Sequence, residues 1–137
     1  MVTLDEVAQW ALALPGIAES ERHGHRSWSV GKKGVAWERP LTKADMKRWD
    51  AGSLPQGDVV AVVVEDMGHK AAVMADPPKG FFDMQHFAGY PAVLVELRLA
   101  GKRAVRAALE EAWLSVTPPA EARAYLATKS ARRAAPP

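Results

Sequence analysis

Cysteine is absent from all 137 residues, which excludes disulfides and zinc sites built on thiolates. Long apolar runs are absent too: the longest, residues 59–64, is far too short to cross a bilayer. The opening Met-Val-Thr-Leu-Asp-Glu has neither the basic nor the apolar region of a secretory signal. No P-loop and no dinucleotide fingerprint occurs, which removes the best-marked phosphate- and cofactor-binding classes. No recognition helix of helix-turn-helix type can be picked out, so sequence-specific base readout has no support. These absences point to a soluble, cytoplasmic protein with no membrane partner and no cofactor.

What is present fits one domain. The length is near that of a single domain, and 48% hydrophobic residues are enough for one core. A formal net charge of +2 conceals segregation along the chain. Residues 1–21 carry four acids and no base. Residues 22–48 carry eight bases (Arg22, Arg26, Lys32, Lys33, Arg39, Lys43, Lys47, Arg48) against Glu38 and Asp45, a net of +6. Residues 49–99 stand at −4 and residues 100–137 at +4. A basic block beside acidic ones suits a surface that faces a polyanion. It equally suits a solvated sheet edge kept charged against edge-to-edge pairing.

The pattern predicts the elements. Thr3 with Glu6 forms a capping box, and Leu4, Val7, Ala8, Ala11 and Leu12 make one apolar stripe of a first helix, stopped by Leu14-Pro15-Gly16. Trp28-Ser29-Val30 and Val35-Ala36-Trp37 flank Gly31-Lys32-Lys33-Gly34 and read as a hairpin with a loop of two or four residues. Pairing Trp28 with Trp37 and Val30 with Val35 would place all four on one face. Thr42 and Asp45 open a short helix, with Leu41 and Met46 as a staple pair. Residues 59–64 read as a central strand covered on both faces. Met67, Ala71 and Met74 share a face of the next helix, and an aromatic segment holds a possible short strand. Val93, Val95, Leu97 and Leu99 alternate as a strand with one buried face. Residues 102–116 form the last long helix, with Val105, Leu109, Ala112, Trp113 and Val116 inward. A short helix through Tyr125 follows. The expectation is an α+β domain over residues 1–128: two layers, a mostly antiparallel sheet and terminal helices on one face. Residues 129–137 read as a flexible tail.

Several segments, in this order, resemble the MmcQ/YjbR family. They are Thr3-Leu4-Asp5-Glu6-Val7 with Leu14-Pro15-Gly16, and His23-Gly24-His25-Arg26-Ser27-Trp28 with residues 31–37. Gly89-Tyr90-Pro91-Ala92-Val93-Leu94-Val95 and Glu111-Ala112-Trp113 complete the set. The resemblance spans roughly residues 3–127. It implies an α-β(3)-α-β(2)-α topology, similar to secretion chaperones, and DNA binding in a double-wing arrangement. The stretch 39–57, with its extra helix, is longer than the family's usual connection.

For DNA, phosphate neutralisation should dominate, with Lys32 and Lys33 at the hairpin tip as wing contacts. Arg26, Arg39, Lys43, Lys47 and Arg48 extend the patch. Trp28 and Trp37 suit base stacking, yet the pairing above makes them core. His23 and His25 would share a strand face, as metal ligands can, but a third ligand such as His86 must come from elsewhere. His69 reads as an exposed helix residue. Ser27 beside His25, and Asp83 beside His86, lack the surroundings of a catalytic pair. The expectation is therefore no enzyme and no metal, with DNA as partner. The alternative is a protein-interaction or chaperone-like module or a homodimer. A deep pocket collecting His86, Tyr90 and Trp28 would point instead to a small-molecule domain.

Overall fold

A computed structural model describes residues 1–50 and 52–134. Helix α1 (Leu4–Leu12) begins as predicted: the Thr3 hydroxyl accepts from the Glu6 amide at 3.1 Å, and the Glu6 carboxylate accepts from the Thr3 amide at 3.1 Å. Val2, just before the cap, and Val7 are both buried, the arrangement of a hydrophobic staple.

Three strands follow, β1 (Ile17–Arg22), β2 (His25–Val30) and β3 (Lys33–Glu38). Strand β1 had no sequence signal, since its polar Glu19, Ser20 and Glu21 are exposed at the sheet edge. Its turn is encoded more clearly. His23 and Gly24 hold φ of 53° and 80°, the pair of left-handed residues that a two-residue hairpin favours.

The β2–β3 register departs from the expected one. Trp28 faces Ala36 and Ser27 faces Trp37, with a bulge between Trp28 and Ser29. The loop is Gly31-Lys32, with Gly31 at φ 59°. Trp28 and Trp37 thus belong to different apolar clusters, and Trp37 is only half-buried. The expected pairing assumed one apolar face. Both faces of this sheet are covered, so each indole finds an apolar surface in the observed register.

Helix α2 (Lys43–Lys47) carries the Thr42–Asp45 capping box, while Met46 stays exposed rather than stapled. Strand β4 (Val59–Val63) lies inside the sheet, as its β-branched run predicts. Helix α3 (Met67–Ala75) turns Lys70, Val73 and Met74 inward, not the expected Met67 and Ala71. Lys70 is buried because its ammonium donates to the Phe87 carbonyl and, at 2.9 Å, to that of Tyr90, and it pairs with Asp83 at 3.0 Å. The short strand β5 (Phe81–Phe82) precedes β6 (Ala92–Glu96), which is buried on both faces rather than one. Gly80, at φ 88°, leads into β5 where a Cβ would meet the Glu96 carbonyl at 2.8 Å.

The sheet is antiparallel throughout, in the order β1-β2-β3-β4-β6-β5. Helices α1 and α4 (Lys102–Val116) cover one face with Val7, Ala11, Val105, Leu109 and Trp113. The other face packs Val59, Ala61 and Leu94 against Met84 and Phe87, with Leu41 and Trp49 alongside. Among the described residues there are six strands and five α-helices, where the topology implied by the resemblance has five and three.

The expected tail is helix as far as it is described. Helix α5 (Pro119–Ala134) runs well past Tyr125, and residues 135–137 lie outside the described residues. A polar tie explains its length. The Tyr125 ring packs on Trp113 at 4.8 Å, its hydroxyl donates to Glu110 at 2.7 Å, and Lys129 donates to Glu110 at 2.7 Å.

Candidate nucleic-acid interface

The β2–β3 turn sets Lys32 and Lys33 at the tip, where both are exposed. Neither makes an ion pair among the described residues. The turn is tight because glycine supplies the positive φ at its first position.

The rest of the basic block divides. Arg26 lies over the Trp28 ring at 5.6 Å and donates to both oxygens of Glu19, at 3.0 and 3.1 Å, and to Asp5 at 2.9 Å. Hydrogen bonds to Glu19 and then Asp5 raise its pKa further above the ordinary value. Hydrogen bonding from Arg26 chiefly holds the Glu19 carboxyl below its usual range, although burial opposes it. Arg39 lies over Phe87 at 5.5 Å and donates to Asp45 at 3.0 Å and to the Pro40 carbonyl at 2.6 Å. Burial would raise the pKa of Asp45, but hydrogen bonds from Thr42 and Arg39 outweigh it and lower the value. These two arginines build the fold.

Lys43, Lys47 and Arg48 are exposed on and just after α2 and make no ion pair among the described residues. They do not join the hairpin tip. Strand β3 runs from the tip at Lys33 toward Arg39, and six residue steps of antiparallel strand measure about 20 Å. The block therefore offers two separate basic points at opposite ends of one strand. The acidic pair Glu65 and Asp66 follows β4 at the tip's end of the sheet.

The other expected constellations do not assemble. His23 sits in a turn and His25 on β2, so they share no strand face, and His25 lies 3.8 Å from Glu38. No hydrogen bond joins Ser27 to His25, or Asp83 to His86, among the described residues. His86 lines a cavity of about 390 Å³ with Asp45, Arg48, Trp49 and Asp83. Trp28 is fully buried in the cluster under α1 and α4, and Tyr90 packs edge-on against Trp37 and Phe87 at 6.4 and 6.0 Å. The pocket of His86, Tyr90 and Trp28 does not form.

His69 is exposed as expected but flanked by carboxylates, with Nδ1 3.0 Å from Asp66 and Nε2 3.3 Å from Glu65. Its pKa is raised, first by the Asp66 hydrogen bond. The signal was present in sequence: Glu65-Asp66 puts one carboxylate at the N-cap of α3 and another one turn before His69. No described helix is long and apolar enough to cross a membrane.

Fold and charge together define a small α+β protein with an open antiparallel sheet and a divided basic surface. The chain matches no family model. Uncharacterized proteins of Mycobacterium tuberculosis and Mycobacterium bovis are 45% identical to it over 129 residues, 93% of this chain and 98% of theirs. The chain belongs to the family that these mycobacterial proteins represent.

Proposed function

We propose that the protein is a weak, largely sequence-nonspecific DNA-binding domain of the MmcQ/YjbR type. It meets phosphates with Lys32 and Lys33 at the hairpin tip and, separately, with Lys43, Lys47 and Arg48 at α2. One observation carries the reading: these five bases are exposed and make no ion pair among the described residues, while Arg26 and Arg39 are tied to carboxylates. Free cations on a tight turn neutralise phosphate without reading bases, and each contact releases about one counterion. The resulting affinity lies in the range of about 10⁻⁴–10⁻⁶ M at physiological salt. The ordered segments resembling MmcQ/YjbR support the same role. The reading assigns no catalytic step and no cofactor.

Fluorescence anisotropy of a labelled duplex at two salt concentrations tests it. Binding should be present at low salt, weaken as salt rises, and weaken further in Lys32→Glu/Lys33→Glu with unchanged folding. Absence of binding at low salt, or indifference to the double substitution, would overturn it and leave a protein-interaction module as the leading function.

A further inference from the structure

A second cavity, of about 470 Å³, opens between α3, α4 and the sheet. Val62, Val73, Val93, Ala108 and Leu114 make its body apolar. Its volume falls within the range of small-molecule sites. The ionisable groups that line it are Glu65, His69 and Glu111, and no lysine or arginine does so. Glu65 precedes α3 and Glu111 belongs to α4, so the two carboxylates come from different walls. Both carboxylates act on His69: Glu65 and Glu111 add to the dominant effect of Asp66 in favouring the charged imidazole. Asp66 is already engaged, accepting from the His69 amide at 2.8 Å as the N-cap of α3, and one oxygen of Glu65 lies 3.3 Å from His69 Nε2. Two lining carboxylates against one lining imidazole make this opening acidic rather than basic, in a chain whose formal net charge is +2.

We infer that this cavity binds a small amphipathic monocation, an organic amine. Its apolar body fills the space between Val73 and Leu114, and its ammonium rests between Glu65 and Glu111. Apolar lining alone would accept any hydrophobic body of this size. The carboxylates choose among head groups: they favour a cation, tolerate a neutral hydroxyl and repel a carboxylate. This site is independent of the DNA reading, since none of the five free bases lines it.

Three probes with one indole body and different heads test the inference: tryptamine, tryptophol and indole-3-acetate, titrated into ¹⁵N-labelled protein. Tryptamine should bind tightest, tryptophol weaker and indole-3-acetate least, with shifts concentrated at Val73, Val93 and Ala108. The surface variant Glu65→Gln/Glu111→Gln should lose about three- to tenfold in tryptamine affinity and leave tryptophol unchanged, the size of effect expected for two partly solvated ion pairs. Val73→Trp, filling the cavity, should abolish binding of all three. If that variant fails to fold, the head-group order and the double glutamine variant decide. Indole-3-acetate binding as well as tryptamine, no binding of tryptamine, or shifts located elsewhere would overturn the inference.

Discussion

Two kinds of base share residues 22–48. Arg26 and Arg39 lie across aromatic rings and donate to carboxylates, whereas Lys32, Lys33, Lys43 and Lys47 stand in solvent without such partners among the described residues. The difference follows from position and side chain together, since Arg48 stands free with the lysines. A planar guanidinium can hold a carboxylate through two parallel hydrogen bonds and stack on a ring, while an ammonium is a strongly hydrated point charge. A net charge counted along the sequence therefore overstates what a polyanion can reach. Arg26 and Arg39 close the fold on itself, and the lysines, together with Arg48, are left for a partner.

The largest effect should come from the core that Arg26 overlies. Trp28→Ala removes a fully buried indole and its 2.8 Å bond to Glu19, and should cost about 3–5 kcal/mol in chemical denaturation. Trp37→Ala removes a half-buried one and should cost about 1–2 kcal/mol. Equal losses would mean that the two indoles lie equally deep, contrary to the observed register.

Next in size is the tie at α2. Arg39→Gln leaves the buried Asp45 without its guanidinium and should destabilise by about 2–3 kcal/mol, while Lys43→Gln should stay within about 0.5 kcal/mol. The folded-state pKa of Asp45 is below the ordinary 3.8. Its contribution is thus complete above that value and is lost as the pH falls through the lowered one. Urea titrations of wild type and Arg39→Gln across acid pH should converge below that point.

A smaller effect separates Lys129 from the free lysines. Burial, and then the Glu110 hydrogen bond, push the Tyr125 phenol up to about 12. Stability from this group is present below pH 10 and is lost as the pH rises toward about 12. Ultraviolet titration should show one tyrosine ionising near there, and Glu110→Gln should bring it down. A Tyr125 that ionises normally would mean that α5 is not seated on α4.

Much of the fold was legible because the relevant signals are local. The Thr3 and Thr42 caps, the β-branched run of β4 and the apolar stripe of α4 each specify their element within a few residues. What was missed depends on partners far along the chain. Strand β1 is polar because it lies at an edge, α5 is held by Glu110 and Trp113, and the place of Trp37 on the face opposite Trp28 depends on apolar cover supplied by Met84 and Phe87. The candidate site divides in the same way. The hairpin tip was legible from its glycines, but Asp5, Glu19 and Asp45, which take Arg26 and Arg39 out of the basic patch, reach them only through the fold.

The measurement that bears most directly on the two kinds of base is the salt dependence of duplex DNA affinity in single-class variants. Lys32→Ala/Lys33→Ala should reduce the slope of log affinity against log salt by roughly two counterions, and Arg26→Ala should leave it unchanged, because each phosphate contact releases about one counterion. A slope reduced by Arg26→Ala, or untouched by loss of the two lysines, would contradict the division between Arg26 and Arg39, which hold the fold, and the free bases that meet the phosphate.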